Sequence, residues 1–473
     1  MSSPSVARMT MISTSRATTG GLPDGPLVAY YGDDFTGSTD VMEAFTAAGV
    51  PTVLFLQTPE PPALARFSHM RCVGLAGTSR GRDPAWMRQH LPVAFQSLQQ
   101  LGAPILHYKV CSTFDSAPQV GSIGQAIDLG VPGSGARWSP TIVGAPRLQR
   151  FQMFGQLFAG FMGEVYRIDR HPSMSRHPVT PMDEADLRVH LGRQTGRRIE
   201  LIDGVQSTSG QGDARLQALQ GDDQPVIMLD VMDADSQREA GRLVWENRAG
   251  GLFSASSSGL QYALVAYWRS QGWLPAQSTL PTPAPASAIA VVSGSCSVMS
   301  GKQIEWALAN GFHGERLNVA ACLHASTREA EISRVVTGSL QALAQGRSPV
   351  VYSAMGPDDA AVTGFEALVQ ACGLDRAQAA QIIGDALAEV MKQLLDRSEL
   401  RRVVVAGGDS SGAVASHLGV QALTVLAGLR PGAPLCRAWS DDARRDGLEL
   451  VLKGGQMGTP TFYGEVLSGH VSD

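Results

Sequence analysis

Two carboxylates stand side by side at the end of a short apolar run, in Tyr30-Tyr31-Gly32-Asp33-Asp34-Phe35-Thr36-Gly37-Ser38. Paired acids at a strand end can hold a substrate hydroxyl, take its proton or bind Mg²⁺. The plainer reading is one N-cap aspartate with an exposed neighbour. Two later apolar runs end in polar side chains of the complementary kind: Thr78-Ser79-Arg80, and Lys109 followed by Ser112-Thr113. Carboxylates, an arginine fork and a lysine point charge at successive strand ends suit a small polyhydroxy acid. The candidate contacts are Asp33, Asp34, Arg80, Lys109, Ser112 and Thr113. Residues 171–181 add His171, Arg176 and His177, just after Arg170, but at no metal-ligand spacing, so they read as a solvated loop.

Three glycine-rich turns follow later apolar runs: Ser293-Gly294-Ser295-Cys296-Ser297, Gly407-Gly408-Asp409-Ser410-Ser411-Gly412 and Lys453-Gly454-Gly455-Gln456-Met457-Gly458. A strand, a glycine and a hydroxyl at a helix start expose backbone N–H groups and the positive dipole end, which suits phosphate. The candidate nucleotide contacts are Ser293, Ser295, Gly407, Gly408, Asp409, Ser410, Ser411, Lys453, Gly454 and Gly455. No standard phosphate motif is matched. The nearest approach, Gly294 to Gly301-Lys302-Gln303, has six intervening residues and no hydroxyl after the lysine. Gly408-Asp409-Ser410-Ser411-Gly412 also fits the G-x-S-x-G of a serine hydrolase, with Asp441 or Asp442 and His470 in the right order. Against that reading stand the missing oxyanion segment and the two other glycine turns it leaves idle.

The elements that must hold these residues alternate along the chain. Residues 27–31, 52–56, 72–76, 105–110 and 141–144 read as short buried strands, and 41–48, 86–101 and 120–129 as helices between them. A strand at 226–230 and a helix at 260–271 continue the pattern. Residues 275–288, PAQSTLPTPAPASA, carry four prolines and no charge, which makes a semi-rigid connector. Strands at 289–292, 317–320, 350–353 and 402–406 follow, with helices from about 298, over 376–397 and over 413–418. This predicts two α/β lobes with largely parallel sheets, a site in the cleft between them, and three segments: 26–274, the linker 275–288, and 289–473.

Composition sets the outer limits. The chain has 473 residues, 44% of them hydrophobic and 17% charged, enough for two or three packed domains. Its net charge of −5 argues against a nucleic-acid surface or a polybasic membrane anchor. Six scattered cysteines without a C-x-x-C pair fit a reducing cytoplasm. Residues 1–25 read as a disordered leader without the apolar core of a signal sequence, which counts against an exported solute-binding protein. A homo-oligomer stays open.

The motifs together resemble the four-carbon acid sugar kinase family, over nearly the whole chain from residue 27 to 458. The family's A-D-D-x-T-G-A is similar to Gly32-Asp33-Asp34-Phe35-Thr36-Gly37-Ser38, and its nucleotide marks are similar to the three glycine turns. The resemblance implies a sugar-acid lobe followed by a nucleotide lobe, with ATP and Mg²⁺. It also implies ATP contacts at Ser295, at Gly408 to Ser411 and at Gly455, and Asp34 near the acceptor hydroxyl. The chain departs from the family on the substrate side. The usual K-x-D-S-T-x-R-G block reads Lys109-Val110-Cys111-Ser112-Thr113-Phe114-Asp115-Ser116, and the Gly-Arg-x-Thr stretch reads Gly144-Ala145-Pro146-Arg147-Leu148-Gln149-Arg150. The default acceptor is a four-carbon acid such as 3-oxo-tetronate, with a branched acid such as 3-oxo-isoapionate as the competitor.

Overall fold

The computed structural model describes residues 21–470; the side chains of Asp409 and Ser410 lie outside the described residues. Its frame is one twelve-stranded sheet. From one edge the first domain supplies Leu252–Ser256, Ile105–Lys109, Val28–Gly32, Cys72–Ala76 and Thr52–Phe55, all parallel. The second half supplies Ala422–Arg430, Ala433–Trp439, Glu449–Lys453, Arg402–Ala406, Ala290–Ser293, Pro349–Tyr352 and His313–Arg316. The last five of these run parallel to one another. The hairpin Ala422–Arg430/Ala433–Trp439 joins the halves, antiparallel to Thr52–Phe55 on one side and to Glu449–Lys453 on the other.

The two lobes expected to carry sheets of their own thus share one sheet, so the proline-rich segment is not their sole connection. The helix Phe35–Ala47 adds a further tie, for Glu43 accepts the Gly432 N–H at 2.7 Å from the hairpin turn. Residues 275–288 do lack regular structure.

The strands are apolar on both faces because both faces are covered. In Val28–Gly32, Val28 and Tyr30 join one core, while Ala29 and Tyr31 join another. The first of these cores runs through both halves, taking Phe35, Phe45 and Trp268 from one and Val292, Val405, Val414 and Leu452 from the other.

Several boundaries differ from the sequence reading. The strand expected at 317–320 lies at His313–Arg316, and Val319–Leu323 is a helix capped by Asn318, whose Oδ1 accepts the Ala321 N–H. The strand expected at 141–144 is Ser139–Thr141, in a separate parallel sheet with Val226–Leu229 and Ile199–Ile202. Residues 21–25, assigned to a disordered leader, are held by Arg71, which donates to the Gly25 carbonyl at 2.7 Å and to that of Pro23. A meander of Arg150–Met153, Gln156–Phe161 and Glu164–Arg167 was not foreseen. Its two-residue turns are Phe154-Gly155 and Met162-Gly163, with φ of 50° and 77°, and of 49° and 86°. Such turns ordinarily carry Asn or Asp before the glycine.

Candidate functional site

The first-domain strand ends line up because register places Gly32 beside both Ala76 and Lys109. The chain then turns sharply. Asp33 N–H donates to the Lys109 carbonyl at 2.9 Å, and Arg80 N–H to the Asp33 carbonyl at 3.1 Å. Asp34 caps the helix Phe35–Ala47, its Oδ1 accepting the Gly37 N–H at 2.6 Å and its Oδ2 the Thr36 hydroxyl at 3.1 Å.

Arg80 clamps both acids. Its Nε and Nη2 reach Asp33 Oδ2 and Oδ1 at 3.1 and 2.8 Å, and its Nη1 donates to Asp34 Oδ2. Burial pushes the Asp33 carboxyl up to about 6; the Arg80 charge opposes this rise and the Asp34 charge adds to it. Asp33 is thus the buried support, and Asp34 the acid of the pair with the more exposed side chain. The Arg80 guanidinium, a candidate contact for a polyhydroxy acid, is engaged by the chain's own acids.

Lys109 is buried beside Gly37, where an added Cβ would come within 3.3 Å of its Nζ. The ammonium donates to the Val110 carbonyl at 3.1 Å and lies 3.6 Å from Asp40 Oδ2. Asp40, passed over in the sequence, also accepts from Ser258 Oγ and Gln261 Nε2 at 2.5 and 3.0 Å. Only its position on the helix that Asp34 starts could have flagged it. Ser112 is partly exposed, while Thr113 is buried and turns its hydroxyl to Asp115.

The three glycine turns also converge. Ser293 pairs with Ala406 and Ala406 with Lys453, so all three leave the same edge of adjacent parallel strands. The Gly294 N–H donates to the Ala406 carbonyl at 3.0 Å and the Gly407 N–H to the Lys453 carbonyl at 2.9 Å. The Ser297 and Ser300 hydroxyls donate to the Gly455 carbonyl at 2.6 and 3.1 Å, which ties the third turn to the first. These two serines were absent from the expected contacts, although Ser297 carries an N-cap signal before the helix Val298–Ala309.

Two of the expected nucleotide contacts have buried side chains. Ser293 is fully buried, and the buried Ser411 hydroxyl donates to the Gly407 carbonyl at 2.6 Å and supports that turn from inside. Ser295 keeps slight exposure beside Gly455. Gly408 opens the helix Gly408–His417, and a Cβ there would meet nothing within 4 Å, which leaves an open cradle at a helix start. Asp409 and Ser410 have side chains outside the described residues.

Lys453 is fully buried, with Nζ 3.5 Å from Ser300 Oγ and no carboxylate partner among the described residues. Burial pushes its pKa down to about 8. A bound phosphate would supply the missing counter-charge. For the ATP that the family resemblance implies, affinity is therefore expected to be flat from pH 7 to about 8 and to weaken above it, by up to roughly tenfold per pH unit as the ammonium is lost. Calorimetry over that range checks this; Lys453→Met should abolish the inflection, and an inflection that survives would assign it elsewhere.

The two groups of turns meet. A Cβ at Gly412 would come within 2.6 Å of the Phe35 ring, and one at Gly454 within 4.0 Å of Thr36 Oγ1. The helix that Asp34 caps therefore starts against two of the three glycine turns. Among the described residues no hydrogen bond or ion pair joins Asp441 or Asp442 to His470: Asp441 accepts from Gln421 and lies near Arg66, Asp442 accepts the Arg444 N–H, and the hydrogen bonds of His470 run through its backbone, to Ser468. Among the described residues no group of three or more His, Cys, Asp or Glu side chains could hold a metal ion, and no helix is long and apolar enough to cross a membrane.

Comparison with known proteins agrees with this division. A sugar-binding N-terminal domain matches residues 28–264 and a nucleotide-binding C-terminal domain matches residues 290–463. A 3-oxo-isoapionate kinase of Paraburkholderia graminis is 62% identical over 450 residues, 95% of this chain and 96% of that protein. A 3-oxo-tetronate kinase of Cupriavidus necator is 29% identical over 454 residues, 95% and 98% of the two chains. The crystal structure of the Haemophilus influenzae protein HI1011 shares the fold, with a TM-score of 0.68 at 23% identity over 93% of this chain and 98% of that one.

Proposed function

Since the chain belongs to the four-carbon acid sugar kinase family and is an ATP-dependent kinase of a sugar acid, we propose that its acceptor is a branched 3-oxo acid, 3-oxo-isoapionate. The observation that carries this choice is identity: 62% to a kinase of that acid, against 29% to a kinase of 3-oxo-tetronate, at equal coverage of this chain. The four-carbon acid, the default at the level of motifs, thereby becomes the lesser reading. The altered 109–116 block supports the same choice, because the divergence lies on the substrate side.

In this reading Arg80 fixes Asp33 and Asp34 as a unit, and Asp34 accepts the proton of the acceptor hydroxyl as the phosphoryl group transfers. The N–H groups at Gly408, Gly454 and Gly455, with the Lys453 ammonium, hold the phosphates and offset charge developing on them. Mg²⁺ would be held through the phosphates and would neutralise part of their charge. The juxtaposition of Phe35 and Thr36 with Gly412 and Gly454 supports in-line transfer between the two halves.

A coupled assay with MgATP over 3-oxo-isoapionate, 3-oxo-tetronate, threonate and erythronate tests the proposal. The branched acid is expected to have a kcat/KM at least about tenfold above the others, in the range that one buried group of difference supplies. Preference for a straight four-carbon acid would overturn the substrate while leaving the kinase activity in place.

A further inference from the structure

Asp115 takes no part in the mechanism above, yet its charge acts on Arg80, the residue that clamps Asp33 and Asp34. It follows Phe114, whose left-handed backbone (φ 57°) bends the loop after Ile105–Lys109. Its Oδ1 accepts the Thr113 hydroxyl and its Oδ2 the Thr180 hydroxyl at 3.1 Å. Thr180 belongs to the 171–181 loop, where His177 Nδ1 accepts the Thr180 N–H at 3.0 Å. The loop that read as merely solvated is thus fastened to the sugar-acid side of the site.

Burial would push the Asp115 carboxyl up, but the Arg80 charge and the Thr113 hydrogen bond outweigh it and hold the group below the usual range. The carboxylate is therefore ionised. Each oxygen receives one hydroxyl and has a further lone pair, and the residue keeps partial exposure, as do its neighbours Cys111 and Ser112. The Cys111 sulfur lies 2.9 Å from Thr113 Oγ1, and burial raises its pKa, so a neutral thiol borders the carboxylate.

We propose that Asp115 is the specificity-determining residue of the sugar-acid site, its carboxylate accepting a hydrogen bond from the hydroxymethyl branch that 3-oxo-isoapionate has and a straight four-carbon acid lacks. The inference rests on the substrate reading above. The branched acid brings a donor to this carboxylate and the shorter acid brings none, so the hydrogen bond strengthens binding of the branched acid alone. The neutral Cys111 leaves room beside it without a second charge. Asp115 also repels the substrate's own carboxylate and so sets which end of the acid approaches Asp34.

The test compares kcat/KM for 3-oxo-isoapionate and 3-oxo-tetronate, at saturating MgATP, in the wild type, Asp115→Ala, Asp115→Asn and Thr180→Val. Asp115→Ala is expected to lower the branched-acid value about 100-fold and to leave the four-carbon value within about threefold. Asp115→Asn, which keeps one acceptor oxygen, should recover about tenfold of that loss. Thr180→Val removes the loop tether alone and should leave the ratio of the two acids unmoved. Should the alanine variant not fold, the asparagine variant reads the same ratio. Equal falls on both acids, or an unmoved ratio in a wild type that prefers the branched acid, would overturn the assignment of Asp115 alone. A wild type that prefers the four-carbon acid would overturn the substrate reading with it.

Discussion

Asp34→Asn is expected to lower kcat by about 10²-fold or more, equivalent to at least about 2.7 kcal/mol of transition-state stabilisation. Asparagine is as good an N-cap as aspartate, so the bond from the Gly37 N–H can persist and the helix Phe35–Ala47 should still form. Arg80 keeps its two contacts with Asp33. What goes is the group that can accept a proton. MgATP affinity should change little, because the nucleotide turns are built from other elements. Steady-state kinetics with the true acceptor, alongside calorimetry with MgATP, separates these effects. Near-wild-type turnover would remove Asp34 from the base role and make Asp33 the next residue to test.

Gly408→Val is expected to weaken MgATP binding by about 10²-fold or more with little change in thermal stability. Apart from its chain neighbours and its own helix backbone, an added Cβ here meets nothing within 4 Å, so a loss of nucleotide affinity reports on what approaches the backbone from outside. A phosphate against the first N–H groups of the helix Gly408–His417 would be displaced by the added methyls. Gly455 offers a poorer test, since a Cβ there would strike Ser295 Oγ and approach Ser297 Oγ to 3.1 Å, disturbing the turn itself. Calorimetry on the folded variant, with sugar-acid binding measured in parallel, checks the result. Unchanged nucleotide affinity would take the second glycine turn out of the phosphate site.

Much of the site was legible because its chemistry is local. The Asp33-Asp34 turn and the glycine turns each lie within a few residues, directly after apolar strands whose ends set their direction. What escaped reading depends on contacts between distant segments. Asp40 has meaning only once Lys109 and Ser258 are packed against it. Asp115 meets Thr180, 65 residues away in the chain, only once the 171–181 loop packs against it. The inward hydrogen bond of Ser411 escaped reading too, because a helical hydroxyl can turn back to the carbonyl four residues earlier, here that of Gly407. The meander was hidden because Phe154 and Met162 occupy turn positions that composition assigns to other residues.

By itself the sequence determined an α/β chain with acids and bases at the strand ends of one half and phosphate-suited turns at those of the other. Short-range periodicity and turn chemistry suffice for that much. Only the tertiary structure decided how the two halves face each other. The joining hairpin makes the second half's parallel strands run opposite to those of the first. In a flat sheet the two sets of turns would therefore lie on opposite edges. Five to six strand steps separate Val28–Gly32 from Glu449–Lys453 and Arg402–Ala406, and a twist of roughly 20–25° per step accumulates to about 100–150°. That rotation carries the two sets of turns back towards each other, so that the start of the helix Phe35–Ala47 lies against Gly412 and Gly454. Strand order and twist are properties of the assembled sheet, and no local pattern of residues encodes them.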